Sequence, residues 1–189
     1  MQLKVSTDPR WLPHALAHFD EVLVDHAHCE KKAAVNALSL LQAHPEVPGL
    51  PAQMARLARE ESAHLAKVLQ LMEARGLTLG RDAGDPYAKG LQQLVRHGAK
   101  ERRLDRLLVA GVIEARSHER LELLASGLGD PALRRLYTEL ARSEDGHQRL
   151  FVRLAKNVEA EDVVDARLEA LLHAEAELLG ALPLRAAVH

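Results

Sequence analysis

Apolar positions along this chain recur every three to four residues over four long stretches, and no segment shows the period of two that marks a half-buried strand. The first stripe is Phe19, Leu23, His26, Glu30, Ala33, Ala34, Ala37 and Leu41, and the second is Met54, Leu57, Glu61, His64, Leu65, Val68 and Met72. The third is Leu104, Leu107, Gly111, Glu114, His118, Leu121 and Ala125, and the fourth Leu133, Leu136, Leu140, Glu144, His147, Leu150, Leu154 and Val158. Pro and Gly set the ends. A first helical segment is predicted from about Pro9 to His44, and a second from about Pro51 to Arg75 with Gly76 closing it. Asp85-Pro86 reads as a cap followed by proline at the first helical position, opening a third segment to about Ser126 with an interruption near His97-Gly98. Asp130-Pro131 repeats that signature for a fourth segment ending near Asn157, and a shorter acidic helix covers about Glu161 to Leu179. The predicted fold is all-α: four long helices with additional short ones.

Length and composition narrow this further. At 189 residues the chain is expected to form one domain, with a core over about 9–158 and an acidic C-terminal helix over about 161–180. Aromatics are only 3%, so the core must be built from Leu, Ala and Val, a palette suited to helices. A lone Cys29 excludes an intramolecular disulfide framework and a Cys-rich zinc site. No apolar run approaches the roughly 20 residues of a membrane span, and the N-terminus lacks a signal-peptide pattern, so a cytoplasmic location is expected. The formal net charge of −2 conceals an asymmetry: residues 159–189 hold seven acids and two bases, leaving 23 bases against 20 acids in residues 1–158.

The carboxylates inside the stripes are the anomaly. A buried ionised carboxylate is costly unless it is paired or bound to metal. Here every long stripe is interrupted by one, and two are followed by His at i+3: Glu61 with His64 and Glu144 with His147. With 17 Glu and 11 His, about one Glu-x-x-His arises by chance, so the pair of motifs matters less than where they fall. Both lie on apolar stripes, and each follows a lone stripe carboxylate, Glu30 or Glu114, by 31 and 30 positions. Four carboxylates and two histidines match two divalent cations in charge and suit iron or manganese. This order of Glu, then Glu-x-x-His, repeated twice, is the metal-site pattern of ferritin-like four-helix bundles. His26 and His118, one turn from Glu30 and Glu114, are candidates to orient those carboxylates, though a core His bonded to a neighbour fits equally well. Asp25 and His28 fall mostly off the stripe and are expected to be solvated; Cys29 is expected to be a small buried filler, and Glu60 lies nearer the stripe edge than Glu61.

The segments DHAHCEKKAA (Asp25 to Ala34), REESAHL (Arg59 to Leu65), DRLLVAGVIEARSHERLELLA (Asp105 to Ala125) and YTELARSEDGHQRLFVRLA (Tyr137 to Ala155) resemble the tRNA hydroxylases that act on 2-methylthio-N6-isopentenyladenosine. The resemblance covers roughly residues 2 to 180, and that family more often carries Cys where His118 stands. It implies a non-haem di-iron monooxygenase that uses O2 to hydroxylate the isopentenyl side chain of a nucleoside next to the anticodon. It implies two Fe ions held by Glu30, Glu61, His64, Glu114, Glu144 and His147, and tRNA as partner. An external electron donor is expected, because the chain has no flavin or iron–sulfur motif. Lys100, Arg102, Arg103 and Arg106, with Lys89 and Arg96 upstream, are candidate phosphate contacts, and Arg116, Lys31 and Lys32 are further ones. A ferritin-like protein for iron storage or peroxide detoxification is the alternative the same six residues would serve.

Overall fold

Two of the predicted helix starts are capped by the aspartate that the sequence supplies. In the computed structural model, which describes residues 1–189, Asp85 accepts a hydrogen bond from the Ala88 amide at 2.9 Å. Asp130 accepts from the Ala132 and Leu133 amides at 2.6 and 3.3 Å. Both caps precede proline, whose missing N–H costs nothing at the first helical position. The helices are α1 Trp11–Ala17, α2 Phe19–Ala43, α3 Leu50–Ala74, α4 Pro86–Gln93, α5 Ala99–Gly127, α6 Pro131–Lys156 and α7 Glu161–Ala181, and there are no strands. The predicted first segment is therefore two helices, broken at His18, whose φ of −121° and ψ of 39° are not helical. The third divides near His97-Gly98 as expected.

The chain forms two compact units. The smaller comprises Ala17–Ala83 with Ala186–Val188, and is built on the α2–α3 hairpin. Gly76 ends α3 with a φ of 70°, a left-handed conformation open to glycine at little cost. Its amide donates to Glu73 O and that of Leu77 to Met72 O, both at 2.9 Å, which is the Schellman arrangement. The buried face of this hairpin includes Val22, Leu23, Ala37, Leu40, Met54, Leu57, Val68 and Met72. Leu40 rather than Leu41 carries the inward position at the end of α2.

The larger unit comprises Met1–Leu16, Gly84–Arg185 and His189. Its centre is α5, which packs on α4, α6 and α7. A helix covered on several sides loses its polar face, and Leu107 to Val112 are all buried. The acidic helix α7 is integral to this unit. Asp105, fully buried on α5, accepts from Arg96 and Arg167 at 2.8 to 2.9 Å, tying the α4–α5 connection and α7 to α5. Burial pushes the Asp105 carboxyl up, but the hydrogen bonds from both guanidinium groups outweigh it and hold it at about 2, below its ordinary 3.8. The carboxylate therefore contributes stability that is complete above pH 3.8 and is lost as pH falls towards 2. That linkage is worth about 2 kcal/mol. In urea titrations between pH 5 and pH 2, Asp105→Asn is expected to be less stable near neutrality and to lose less on acidification. Parallel curves for the two proteins would show that Asp105 does not carry this acid sensitivity.

Charged residues also close the core at the other end of α5. Arg116 is fully buried: Nε and Nη2 donate to Glu175 Oε1 at 3.0 and 2.8 Å, Nη1 donates to Thr7 Oγ1 at 3.2 Å and pairs with Glu119, and Nη2 donates to Val5 O at 3.0 Å. Tyr87 OH donates to the same Glu175 oxygen at 2.9 Å. Burial and the adjacent carboxylate both push the Tyr87 phenol well above its ordinary range. His189 stacks on Tyr87 with ring centroids 5.5 Å apart, and its nitrogens meet Ser117 Oγ at 2.7 Å and Asp85 Oδ2 at 3.0 Å. No helix is long and apolar enough to cross a membrane.

Candidate metal centre

In the smaller unit, Glu30 on α2 and Glu61 and His64 on α3 are all buried, and each offers a ligand atom within 4.8 Å of the others. His64 Nδ1 lies 3.3 Å from Glu61 Oε2 and 3.5 Å from Glu30 Oε2. The other Glu30 oxygen, Oε1, is 2.8 Å from Nε2 of His26, which is itself 1% exposed. The two oxygens of Glu30 thus have separate roles, one facing His64 and one held by a ring one helical turn away. This contact is the geometry that both roles open to His26 require, orienting a carboxylate or bonding a neighbour in the core.

In the larger unit, Glu114 on α5 and Glu144 and His147 on α6 form a second buried trio, again with ligand atoms within 4.8 Å of one another. His147 Nδ1 lies 3.1 Å from Glu144 Oε2, the same atom pair that His64 and Glu61 present. The outer nitrogen, Nε2, is 3.4 Å from Ser143 Oγ. A hydroxyl there can accept a hydrogen bond from an Nε2–H, the tautomer in which Nδ1 keeps the lone pair that a ligating histidine needs. Ser143 escapes sequence reading because a serine one turn before a histidine is common on any exposed helix.

Each trio supplies two carboxylate groups and one imidazole nitrogen with a charge of −2. One divalent cation per trio cancels that charge, and this mixed O/N donor set suits iron or manganese. The burial makes the same point. Leu57 and Val68 lie one turn to either side of Glu61 and His64 on α3, and Leu140 and Phe151 do so for Glu144 and His147 on α6; all four are buried. Water cannot hydrate carboxylates so enclosed, so a cation or a proton must compensate them.

Other expected positions fall differently. His118 is not turned to Glu114: its Nδ1 is 2.8 Å from Ala141 O, and its Nε2 is 3.6 Å from Glu122. A backbone carbonyl on the neighbouring α6 captures the ring, so it does not orient a ligand carboxylate. Arg116 cannot contact phosphate, because its guanidinium is consumed within the core by Glu175 and Glu119. His28 is buried rather than solvated, with Nε2 3.2 Å from Leu79 O and Nδ1 2.8 Å from Lys31 Nζ. Asp25 is half-buried and accepts from the Val188 amide at 2.7 Å, and Cys29 is buried beside it. Lys31 and Lys32 both lie under 4 Å from Asp82. Arg96 is occupied by Asp105. Glu60 pairs with Arg56 at 3.1 Å. Of the basic cluster on α5, Lys100 and Arg102 are exposed, while Arg103 and Arg106 are half-buried.

Comparison with known proteins places this arrangement. The family model described as tRNA-(MS[2]IO[6]A)-hydroxylase (MiaE) matches residues 1–189. A tRNA 2-(methylsulfanyl)-N(6)-isopentenyladenosine(37) hydroxylase from Pseudomonas putida is 40% identical over 173 residues, which cover 92% of this chain and 84% of that protein. A Salmonella typhimurium protein of the same name is 35% identical over 127 residues, 67% of this chain and 46% of the relative. Among solved structures, protein 43 with aldehyde deformylating oxygenase activity from Synechococcus superposes with a TM-score of 0.95 at 41% identity, covering 100% of this chain and 96% of that one. The fold is all-helical and ferritin-like, and the chain belongs to the tRNA-(MS[2]IO[6]A)-hydroxylase (MiaE) family.

Proposed function

We propose that this protein is an oxygen-dependent tRNA hydroxylase of the cytoplasm that oxidises the isopentenyl side chain of 2-methylthio-N6-isopentenyladenosine next to the anticodon. The observation that carries the reading is the pair of buried Glu, Glu, His trios, each presenting the same Nδ1 and Oε2 atoms on a Glu-x-x-His turn. Glu30, Glu61 and His64 would hold one iron ion, and Glu114, Glu144 and His147 a second. Two iron ions, when bound, supply the redox chemistry by which O2 and two electrons from an external donor put one oxygen atom on carbon and release the other as water.

The chain's own residues prepare that chemistry. His26 holds Glu30 Oε1, and Ser143 Oγ stands 3.4 Å from His147 Nε2 as a partner for that ring, so a neighbour one turn away positions a donor group in each trio. Buried Leu57, Val68, Leu140 and Phe151 keep water from the trios and suit an apolar C–H bond as target. Lys100, Arg102, Arg103 and Arg106 are proposed phosphate contacts at the start of α5. Among them Arg106 is partly desolvated: burial, with the nearby Arg102 charge, pushes its guanidinium below the ordinary value, so a phosphate placed there would restore the balance.

The Synechococcus likeness favours a second reading, in which the same centre acts on an aldehyde. Nucleoside analysis separates the two. Deleting the gene should leave tRNA with the isopentenyl base unhydroxylated, and purified iron-loaded protein with O2 and a reductant should restore the hydroxyl. Unchanged nucleosides on deletion, together with turnover of a long-chain aldehyde by the pure protein, would establish the second reading instead. Iron retained as a mineral in a large cage would point to storage.

A further inference from the structure

The outer face of α6 carries a row of arginines that the rest of the fold leaves largely unengaged. Arg135, Arg142, Arg149 and Arg153 follow one another at 7, 7 and 4 residues, so they fall within about 40° of one another around the helix and span about 27 Å of its length. All four are exposed. Arg149 pairs with Asp145 at 2.6 Å, whereas Arg135, Arg142 and Arg153 make no ion pair or side-chain hydrogen bond. Glu144 lies about 180° away, on the face turned to the core. With Arg134 and Lys156 the helix holds six bases, and Glu139 and Asp145 are its only acids besides Glu144. Glu139 falls about 40° from Arg135 at the edge of the row and Asp145 offsets Arg149, so this face still carries a net charge of about +2 on a chain whose total charge is −2.

We infer that this arginine row is a contact surface for the sugar–phosphate backbone of the tRNA substrate, an inference that rests on the tRNA reading above. Three observations select RNA over a protein partner. A protein–protein interface is anchored by apolar and aromatic side chains, and the exposed large hydrophobic residues, Val5, Val35, Leu38, Val163 and Leu184, all lie off α6. Five of the six bases are Arg, whose planar fork matches phosphate in two-point contacts. The third is Gly146, about 20° from Arg135 around the helix and therefore within the row. Glycine weakens a helix interior, and a Cβ at this position would meet nothing within 4 Å, so no internal packing accounts for it. It leaves bare backbone between Arg142 and Arg149, where a phosphodiester can approach closely.

The basic start of α5 lies level with the C-terminal part of this row along the helix axes. Ala141 O meets His118, and Gln148 O lies beside Gly111, so the two helices run antiparallel with residue numbers summing to about 259. Arg106 is then level with Arg153, and Arg102 with the end of α6. On α5, Arg106 lies about 140° and Arg102 about 180° around the helix from Gly111, which meets α6, so the α5 patch is separate and the α6 row stands by itself, its length of about 27 Å suited to an RNA stem rather than to a single phosphate.

Fluorescence anisotropy with unmodified tRNA and the iron-loaded protein, over a range of salt, tests this. The variant Arg135→Glu/Arg142→Glu/Arg153→Glu is expected to bind at least tenfold more weakly near 0.1 M salt. Its slope of log K against log salt should be shallower by about 2 to 3, one counterion for each lost phosphate contact. Iron content and helical circular dichroism should match the parent. The Arg→Gln form of the same triple carries the same expectation if charge reversal disturbs folding, and the Arg→Lys form should keep most of the slope. If the parent binds tRNA and both the Glu and Gln variants bind with the same affinity and slope, the surface is not an RNA contact. Nor is it one if the variants lose only the binding of an acidic redox protein. If the parent itself does not bind tRNA, it is the tRNA reading that fails.

Discussion

Glu114→Ala, purified after iron loading, is expected to retain markedly less iron than the parent and to hydroxylate no tRNA. The reason is a count of charges in a buried place. Glu114, Glu144 and His147 are all under a tenth exposed, and no solvent is available to complete a coordination shell from which a carboxylate is missing. Losing it lowers the ligand charge of this trio from −2 to −1, so a divalent ion would be left with an uncompensated positive charge in the core. His147→Ala acts on the same trio by removing its nitrogen donor, and the expected outcome is again loss of iron and of activity. Glu60→Ala is the control: Glu60 adjoins Glu61 in sequence but is only half-buried and pairs with Arg56, so iron content and turnover should not change. Iron analysis by mass spectrometry, with the near-ultraviolet absorption of the loaded protein, reads all three. Full iron occupancy in Glu114→Ala and His147→Ala would refute the ligand assignment, whatever the activity.

Glu175→Gln is expected to lower the unfolding midpoint by about 6–12 °C without changing iron content. Glu175 and Arg116 are both fully buried, and the carboxylate oxygen Oε1 accepts from two guanidinium nitrogens and from Tyr87 OH. Burial alone would push the Arg116 guanidinium down; Glu175, with Tyr87 and Glu119, overcomes that and raises it, so the group stays charged. Removing one member of a buried ion pair costs about 3–5 kcal/mol, because the other is left without compensation. Glu119 still faces Arg116, which puts this case near the lower figure. About 3 kcal/mol corresponds to a shift of roughly 6–12 °C in a chain of this size. The triple change Tyr87→Phe/Arg116→Met/Glu175→Leu is expected to regain much of the loss, since an apolar cluster of similar volume needs no compensation. Differential scanning calorimetry decides, and an unmoved midpoint in Glu175→Gln would show that the pair contributes nothing to stability.

These two sites differ in how far they are legible in the sequence. The two candidate trios are visible because their residues break a pattern: a carboxylate within an apolar stripe has few structural uses, and Glu-x-x-His spaced one turn apart puts two donors on one face. Helix ends are visible for a similar reason, since Asp-Pro and a closing glycine act within a few residues of backbone. The Arg116–Glu175 pair breaks no pattern. Arg116 stands two residues after Glu114 and looks like the solvated side of an amphipathic helix, which is why it invites a reading as a phosphate contact. Its burial depends on α7, 59 positions further along the chain, covering that side of α5. His28 is misread in the same way: it lies off the α2 stripe, yet the residues after α3 bring Leu79 and Asp82 against it. His118 keeps its place on the stripe but turns to a carbonyl of α6 instead of to Glu114.

By itself, then, the sequence determined the four long helices, most of their ends, and the carboxylates and histidines that interrupt their apolar stripes, six of which have the chemistry of candidate metal ligands. All of these follow from local periodicity and from short-range hydrogen bonding. Only the tertiary structure decided which charges are buried, since burial is set by the element that packs on a face and not by the residues that make it. It set Arg116, Asp105 and Glu175 inside, turned His26 to Glu30 and His118 away from Glu114, and left the arginine face of α6 open. Desolvation then gives otherwise similar arginines opposite tasks: where burial makes a charge expensive the chain supplies its own counter-charge, and where water remains the charge is free for a partner.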